Sequence, residues 1–247
     1  MLFLSAEGPR RWRALDGVVY GTLVLDALAQ WRSFGWNLGA NAVMPLGPSF
    51  MASPGFLVLP VVLYSLPLLW PRSRLARVGA WGSLAVLLGL FSAASYGLHS
   101  LGLVFSFCAM VTSFAGPTRL MWRGLQLLLS LVYFNAAYGK ISTPEWHTGA
   151  VVSGILQHAG LPDFGATALG YGVILLQLVH FHTLFIRRGR RLYLTCLLGM
   201  HLFVGVVLGH YLISLLMIGL NLVLLWPNKN DVRPGSEHGR IASAGVS

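Results

Sequence analysis

Residues 192–226 read LYLTCLLGMHLFVGVVLGHYLISLLMIGLNLVLLW, a tract without one Asp, Glu, Lys or Arg. A helix crosses the hydrocarbon core of a bilayer in about 20 predominantly apolar residues. The tract is too long for one crossing and suits a hairpin of two, divided near Gly209-His210. A second apolar tract, 80–116, divides in the same way at Tyr96-Gly97-Leu98-His99-Ser100. Hairpins of this kind point to an all-α fold, a polytopic membrane helical bundle.

Working outward, further apolar runs at 14–32, 55–70, 123–139 and 166–186 bring the expected number of transmembrane helices to eight. Composition agrees. The chain is 55% apolar and 10% charged, with a mean hydropathy of +0.69. Soluble domains carry about 25% charged residues, so a soluble enzyme is excluded. The net charge of +10 would suggest nucleic acid in a soluble protein, but cytoplasmic loops of membrane proteins collect Lys and Arg. With eight spans and both termini cytoplasmic, Arg10, Arg11, Arg13, Arg72, Arg74, Arg77, Arg119, Arg123, Arg187, Arg188, Arg190 and Arg191 fall inside, as do Lys229, Arg233 and Arg240. Only Arg32 and Lys140 fall outside. Fusing either long tract into one span would scatter basic loops over both faces. The N-terminal run reads as an uncleaved signal anchor, 1–227 as one transmembrane domain, and 228–247 as a disordered cytoplasmic tail. The outer segments 33–54 and 140–165 are expected to hold short interfacial or re-entrant pieces.

Ionisable residues at membrane depth are expensive and mark candidate sites. Asp16 lies near the cytoplasmic end of the first span, within reach of headgroups. Asp26 lies in its outer half, with Arg32 two turns further on. His99 and His210 stand at the expected outer hairpins, His201 at mid-span, and His180 and His182 near the cytoplasmic end of the sixth span. No HxxxH spacing with a matched acid occurs, so no metal is expected. Cys108 and Cys196 read as small core residues. Tyr133-Phe134-Asn135-Ala136-Ala137-Tyr138-Gly139-Lys140-Ile141, followed by Glu145-Trp146-His147-Thr148-Gly149, holds the only lysine before the tail. A lysine there either snorkels to the interface or, where desolvated, serves as a base.

This segment resembles the horizontally transferred transmembrane (HTTM) family, which includes the vitamin K-dependent γ-glutamyl carboxylase. The resemblance rests on Tyr133, Phe134, Ala136, Lys140, Ile141, Trp146 and Gly149. His201 after the arginine-rich turn, the Asp26/Arg32 pattern and the His99-Ser100 pair are further matches. It implies an outward-facing cavity with Lys140 as the base toward a reduced quinone, of the vitamin K hydroquinone type, and His99 hydrogen-bonding to the lysine or the quinol oxygen. Tyr133, Trp146, His201 and Asp26 would line the substrate and cofactor site. Departures are Gly139, where the carboxylase has a second lysine, and Val204-Gly205, where it has Asn-Ser. Its large luminal domain has no counterpart, so the quinol-and-oxygen half of the chemistry is what carries over, with a separate protein or peptide as the further substrate.

Two other readings stand beside this one. A non-catalytic membrane partner or assembly factor accommodates the departures; a small transporter finds neither an internal repeat nor a sustained polar stripe. The partner implied throughout is the lipid bilayer, not nucleic acid. The excess of Arg over Lys fits a bacterial inner membrane. The eight-span topology makes a direct prediction. Reporters fused after Trp226 should be active only if they work in the cytoplasm, and reporters near Thr143 only if they work outside. The opposite pattern at either point refutes the topology.

Overall fold

The computed structural model describes residues 8–37, 54–90, 96–115, 119–185 and 189–226, and these form helices and short links with no strand among the described residues. In chain order the helices are α1 (Gly8–Asn37), α2 (Pro54–Leu69), α3 (Arg74–Leu90), α4 (Tyr96–Ala115), α5 (Arg119–Ile141), α6 (Pro144–His147), α7 (Ala150–His158), α8 (Ala166–Val179), α9 (Arg190–Leu208) and α10 (Tyr211–Leu225). A 3-10 helix, His180–Leu184, continues α8. The tail 228–247 and the side chains of His99 and Arg32 lie outside the described residues.

Among the described residues, two helical stretches, Ala166–Leu184 and Arg190–Leu208, are long and apolar enough to cross a membrane. Three others fall short for identifiable reasons. α2 has 16 residues with Pro60 and Pro67 inside it, and α10 has 15 residues. α5 reaches 23 residues but carries Arg123, Gln126 and Lys140. The tract 192–226 divides as expected, because Gly209 adopts a left-handed φ of 70° between α9 and α10. The tract 80–116 also yields two helices, but residues 96–100 form the first turn of α4 rather than a link. A first turn leaves its N–H groups unpaired in any case, so Gly97 and the polar residues beside it cost no backbone bond there.

Helix α1 packs against α2, α4 and α10, burying Leu15, Val19, Tyr20 and Leu23. Glycines set how closely its neighbours come. A Cβ at Gly219 of α10 would stand 2.6 Å from Val18, and one at Gly102 of α4 would stand 2.8 Å from Leu23. Small residues at helix contacts let backbones approach this way.

Asp16 corrects the sequence reading. It does not reach a surface but is buried, and Arg77, assigned there to a loop, is a buried residue of α3. Arg77 Nη1 donates to Asp16 Oδ1 at 2.8 Å and Nη2 to Asp16 Oδ2 at 2.6 Å. The same guanidinium donates to the carbonyls of Ala109 and Pro71. One planar fork thus ties α1, α3, α4 and the α2–α3 link together, using the bidentate geometry that only arginine offers.

The end of α8 shows a second constraint. His180 N–H bonds to the Gln177 carbonyl, three residues back, so the helix tightens and the Leu176 carbonyl loses its α-helical partner. Tyr193 Oη of α9 donates to that carbonyl at 2.7 Å. His180 itself is fully buried and so departs from the expectation that it meets water, whereas His182 is exposed. Between α7 and α8, Ser153 and Gln157 both donate to the exposed Asp163 carboxylate and hold it below the usual carboxylate range.

Removing one member of a buried ion pair typically costs about 3–5 kcal/mol, because the other charge is left buried alone. Arg77→Met should lower the thermal midpoint in detergent sharply. The double variant Asp16→Leu/Arg77→Met should recover most of the loss. Equal damage in the single and double variants would show that the pair is not what α1 and α3 need.

Candidate functional site

One face of α5 carries Gln126, Ser130, Tyr133, Ala137 and Lys140, at spacings of i, i+4, i+7, i+11 and i+14 that align along a helix. The first four are buried and Lys140 is half-buried, while Leu127, Leu131, Phe134 and Tyr138 on the other face are exposed. A polar stripe thus runs inward beside the buried Leu125 and Leu129, and the opposite face is mostly apolar. The sequence reading found no sustained polar stripe; α5 has one.

The stripe meets α8's 3-10 extension, α9 and α10. Gln126 Nε2 donates to the Leu224 carbonyl at 2.6 Å, and Arg123 donates to Gln126 Oε1. Higher up, a closed set of side chains forms around Asn221. Its Nδ2 donates to the Met217 carbonyl and to Tyr133 Oη, both at 2.7 Å. Its Oδ1 faces His180 Nε2 at 3.1 Å. His180 Nδ1 lies 3.0 Å from Ser130 Oγ, and Tyr133 Oη lies 2.6 Å from His201 Nε2. The rings of Tyr133 and His180 stack with centroids 4.1 Å apart, and Tyr193 abuts His180 edge-on. Ring stacking and hydrogen bonding together fix every member, which is how a buried polar group avoids the penalty of lost hydration.

Lys140 stands two turns beyond Tyr133 on the same face. Its Nζ donates back to the Ala136 carbonyl at 3.3 Å and lies 5.0 Å from the centre of the Trp146 ring. The side chain thus curls against the last turn of its own helix. Trp146 is held from below. Gly149, at φ 79°, lies so close to Thr167 that a Cβ would stand 2.6 Å from Thr167 N, and Thr167 Oγ1 donates to the Thr148 carbonyl. Gly170 of α8 leaves room for the Trp146 carbonyl, which a Cβ there would approach to 3.0 Å. His147 Nε2 donates to the Ile141 carbonyl at 2.6 Å, closing the α5–α6 corner.

Of the sequence candidates, Lys140, Tyr133, Trp146 and His201 come together here. Asp26 is buried on α1, near enough to Tyr64 to act on it electrostatically, and among the described residues no hydrogen bond joins it to Lys140, Tyr133 or His201. The His99 side chain lies outside the described residues. Ser130, His180 and Asn221 went unrecognised. Their signals were present in the seven-residue step from Gln126 to Tyr133 to Lys140, and in Asn221 as the lone amide of an apolar helix. Among the described residues no three His, Cys, Asp or Glu side chains gather to hold a metal ion. Comparison with family models, curated proteins and solved structures finds no match for this chain.

Stranding a buried donor or acceptor costs roughly 1–3 kcal/mol. Asn221→Leu leaves His180 and Tyr133 each short of a partner, while the Met217 carbonyl keeps its helical one. It should depress the thermal midpoint well beyond Asn135→Leu, a change on the exposed side of α5. Equal midpoints would show that the Asn221 bonds contribute nothing.

Proposed function

We propose that the chain is an HTTM-type integral membrane protein of eight spans, with both termini cytoplasmic, and that Lys140 is the base of an outward-facing site for a reduced quinone. Two features support the membrane setting. α5 buries its polar stripe and exposes Leu127, Leu131 and Phe134, the arrangement that suits lipid rather than water. Large apolar residues are also exposed on the other helices, among them Leu69, Leu75, Leu169, Leu192 and Val206.

One observation carries the site. In this topology the C-terminal end of α5 faces outward, so a snorkelling lysine would extend forward to the interface. Lys140 instead curls against the last turn of its own helix, at the Ala136 carbonyl, and lies against Trp146. The residues present suit a quinol. The Trp146 ring is a flat apolar surface, and Nζ spends one of its three donors on Ala136, leaving two for a ligand oxygen. A bound reduced quinone supplies an ionisable phenol and two reducing electrons for oxygen. Lys140, when neutral, accepts a proton at Nζ. The Ala136 carbonyl and the Trp146 π-face then stabilise the ammonium, and the Trp146 corner shields it from water. A separate protein or peptide is the further substrate in this reading.

Removing a general base typically costs about 10²–10⁴-fold in rate. In nanodiscs with a quinol and oxygen, Lys140→Met should lose turnover by that factor while keeping its thermal midpoint. Lys140→Arg should fail as well, because a guanidinium does not deprotonate. A wild type that oxidises no quinol, or a Lys140→Met protein with full turnover, overturns the enzymatic reading in favour of a non-catalytic membrane partner.

A further inference from the structure

The hydrogen-bond set around Asn221 has a direction. A carbonyl oxygen only accepts, so the Met217 carbonyl requires the NH₂ side of the Asn221 amide. Turning the amide over would set two oxygens 2.7 Å apart. With Nδ2 so placed, Oδ1 faces His180 Nε2, which must therefore carry the proton. In a neutral ring His180 Nδ1 is then an acceptor, and the one Ser130 hydroxyl proton goes to it rather than to the Gln126 carbonyl, which also stands 3.0 Å away. On the other side, Tyr133 Oη receives the second Asn221 N–H and has one proton of its own to give. Its remaining partner is His201 Nε2. A proton on that nitrogen would leave the tyrosine hydroxyl without an acceptor.

We propose that Asn221 and Tyr133 are positioning residues that hold His201 in its Nδ1–H tautomer, so that His201 presents a hydrogen-bond donor beside Lys140 for an oxygen of the ligand. Every bond in the series then points one way, from Ser130 through His180, Asn221 and Tyr133 to His201. The series orders protons and does not conduct them, because an amide cannot pass a proton on without changing into its imidic acid form. His180 is thereby a fixed neutral group, and His201 is the member whose second nitrogen makes no hydrogen bond among the described residues. Lys140 stands two turns beyond Tyr133, the hydrogen-bond partner of His201, on the same face of α5, and its Nζ has donors to spare. An ammonium and an imidazole N–H, neither with a carboxylate among its hydrogen-bond partners, form a pair of donors that selects a carbonyl or phenolate oxygen. The tautomer follows from the hydrogen bonds alone. The use of its N–H toward a quinone oxygen rests on the function proposed above.

The test is nitrogen-15 NMR of histidine-labelled protein in nanodiscs, assigned with His180→Gln and His201→Gln. The wild type should show His201 protonated at Nδ1 and His180 at Nε2. Tyr133→Phe keeps the ring that stacks on His180 but removes the hydroxyl, and should shift His201 toward the Nε2–H form that neutral imidazoles prefer in water. Should that variant fold poorly, Asn221→Asp offers a second route. A carboxylate at 221 accepts the tyrosine proton and should turn His201 over to Nε2–H. A wild-type His201 protonated at Nε2, or at both nitrogens, overturns the proposal, as does a tautomer that neither variant changes. Duroquinone is the ligand probe. A shift at His201 Nδ1 that is lost in Lys140→Met supports the shared site. An unmoved signal with the tautomer intact overturns the ligand assignment and leaves the positioning role standing.

Discussion

A single contact between the Asn221 amide and the carbonyl one turn earlier, on Met217, governs the interior of this protein. It fixes which end of the amide faces His180 and which faces Tyr133, and those two rings in turn fix Ser130 and His201. The contact lies within one helix, so it forms as soon as α10 forms and does not wait for neighbours. The other members then dock against an amide whose orientation is already decided. In a low-dielectric interior each such bond is stronger than in water, and each missing one is more costly. The same property that makes the set rigid makes it intolerant of substitution at its centre.

The set lies where α8 ends. The switch to 3-10 geometry begins at the buried His180 and costs the Leu176 carbonyl its helical partner, which Tyr193 replaces. Tyr193 also presents its ring edge to His180. One side chain of α9 therefore both mends the helix break and walls the polar set beside it. A buried carbonyl freed by non-ideal helix geometry is tolerated where a neighbour pairs it again, and here that neighbour is specific.

Much of the fold was legible in the sequence and part of the site was. Charge-free tracts showed where helices run and Gly209 showed where they turn. Lys140 and Trp146 were legible because they stand out, a lysine and an indole at one helix corner. Ser130, His180 and Asn221 were not, because each is an ordinary residue whose meaning lies in partners 41 to 88 positions away. His180 was misread for a further reason. Its place near the end of α8 suggests water, whereas Ser130, Tyr193 and Asn221 from three other helices close over it. Asp16 was misread because sequence position near a helix end suggests a surface, and its partner Arg77 sits 61 residues further along.

That separation bears on the order in which the chain can settle. When α1 has been made its Asp16 has no counterion, and an unpaired carboxylate is costly to bury. Arg77 emerges only after the whole of α2 and the first turn of α3 have been made. The earliest helix therefore cannot reach its final burial before the third has begun, and the bidentate pair acts as a latch that closes on a later stretch of the same chain.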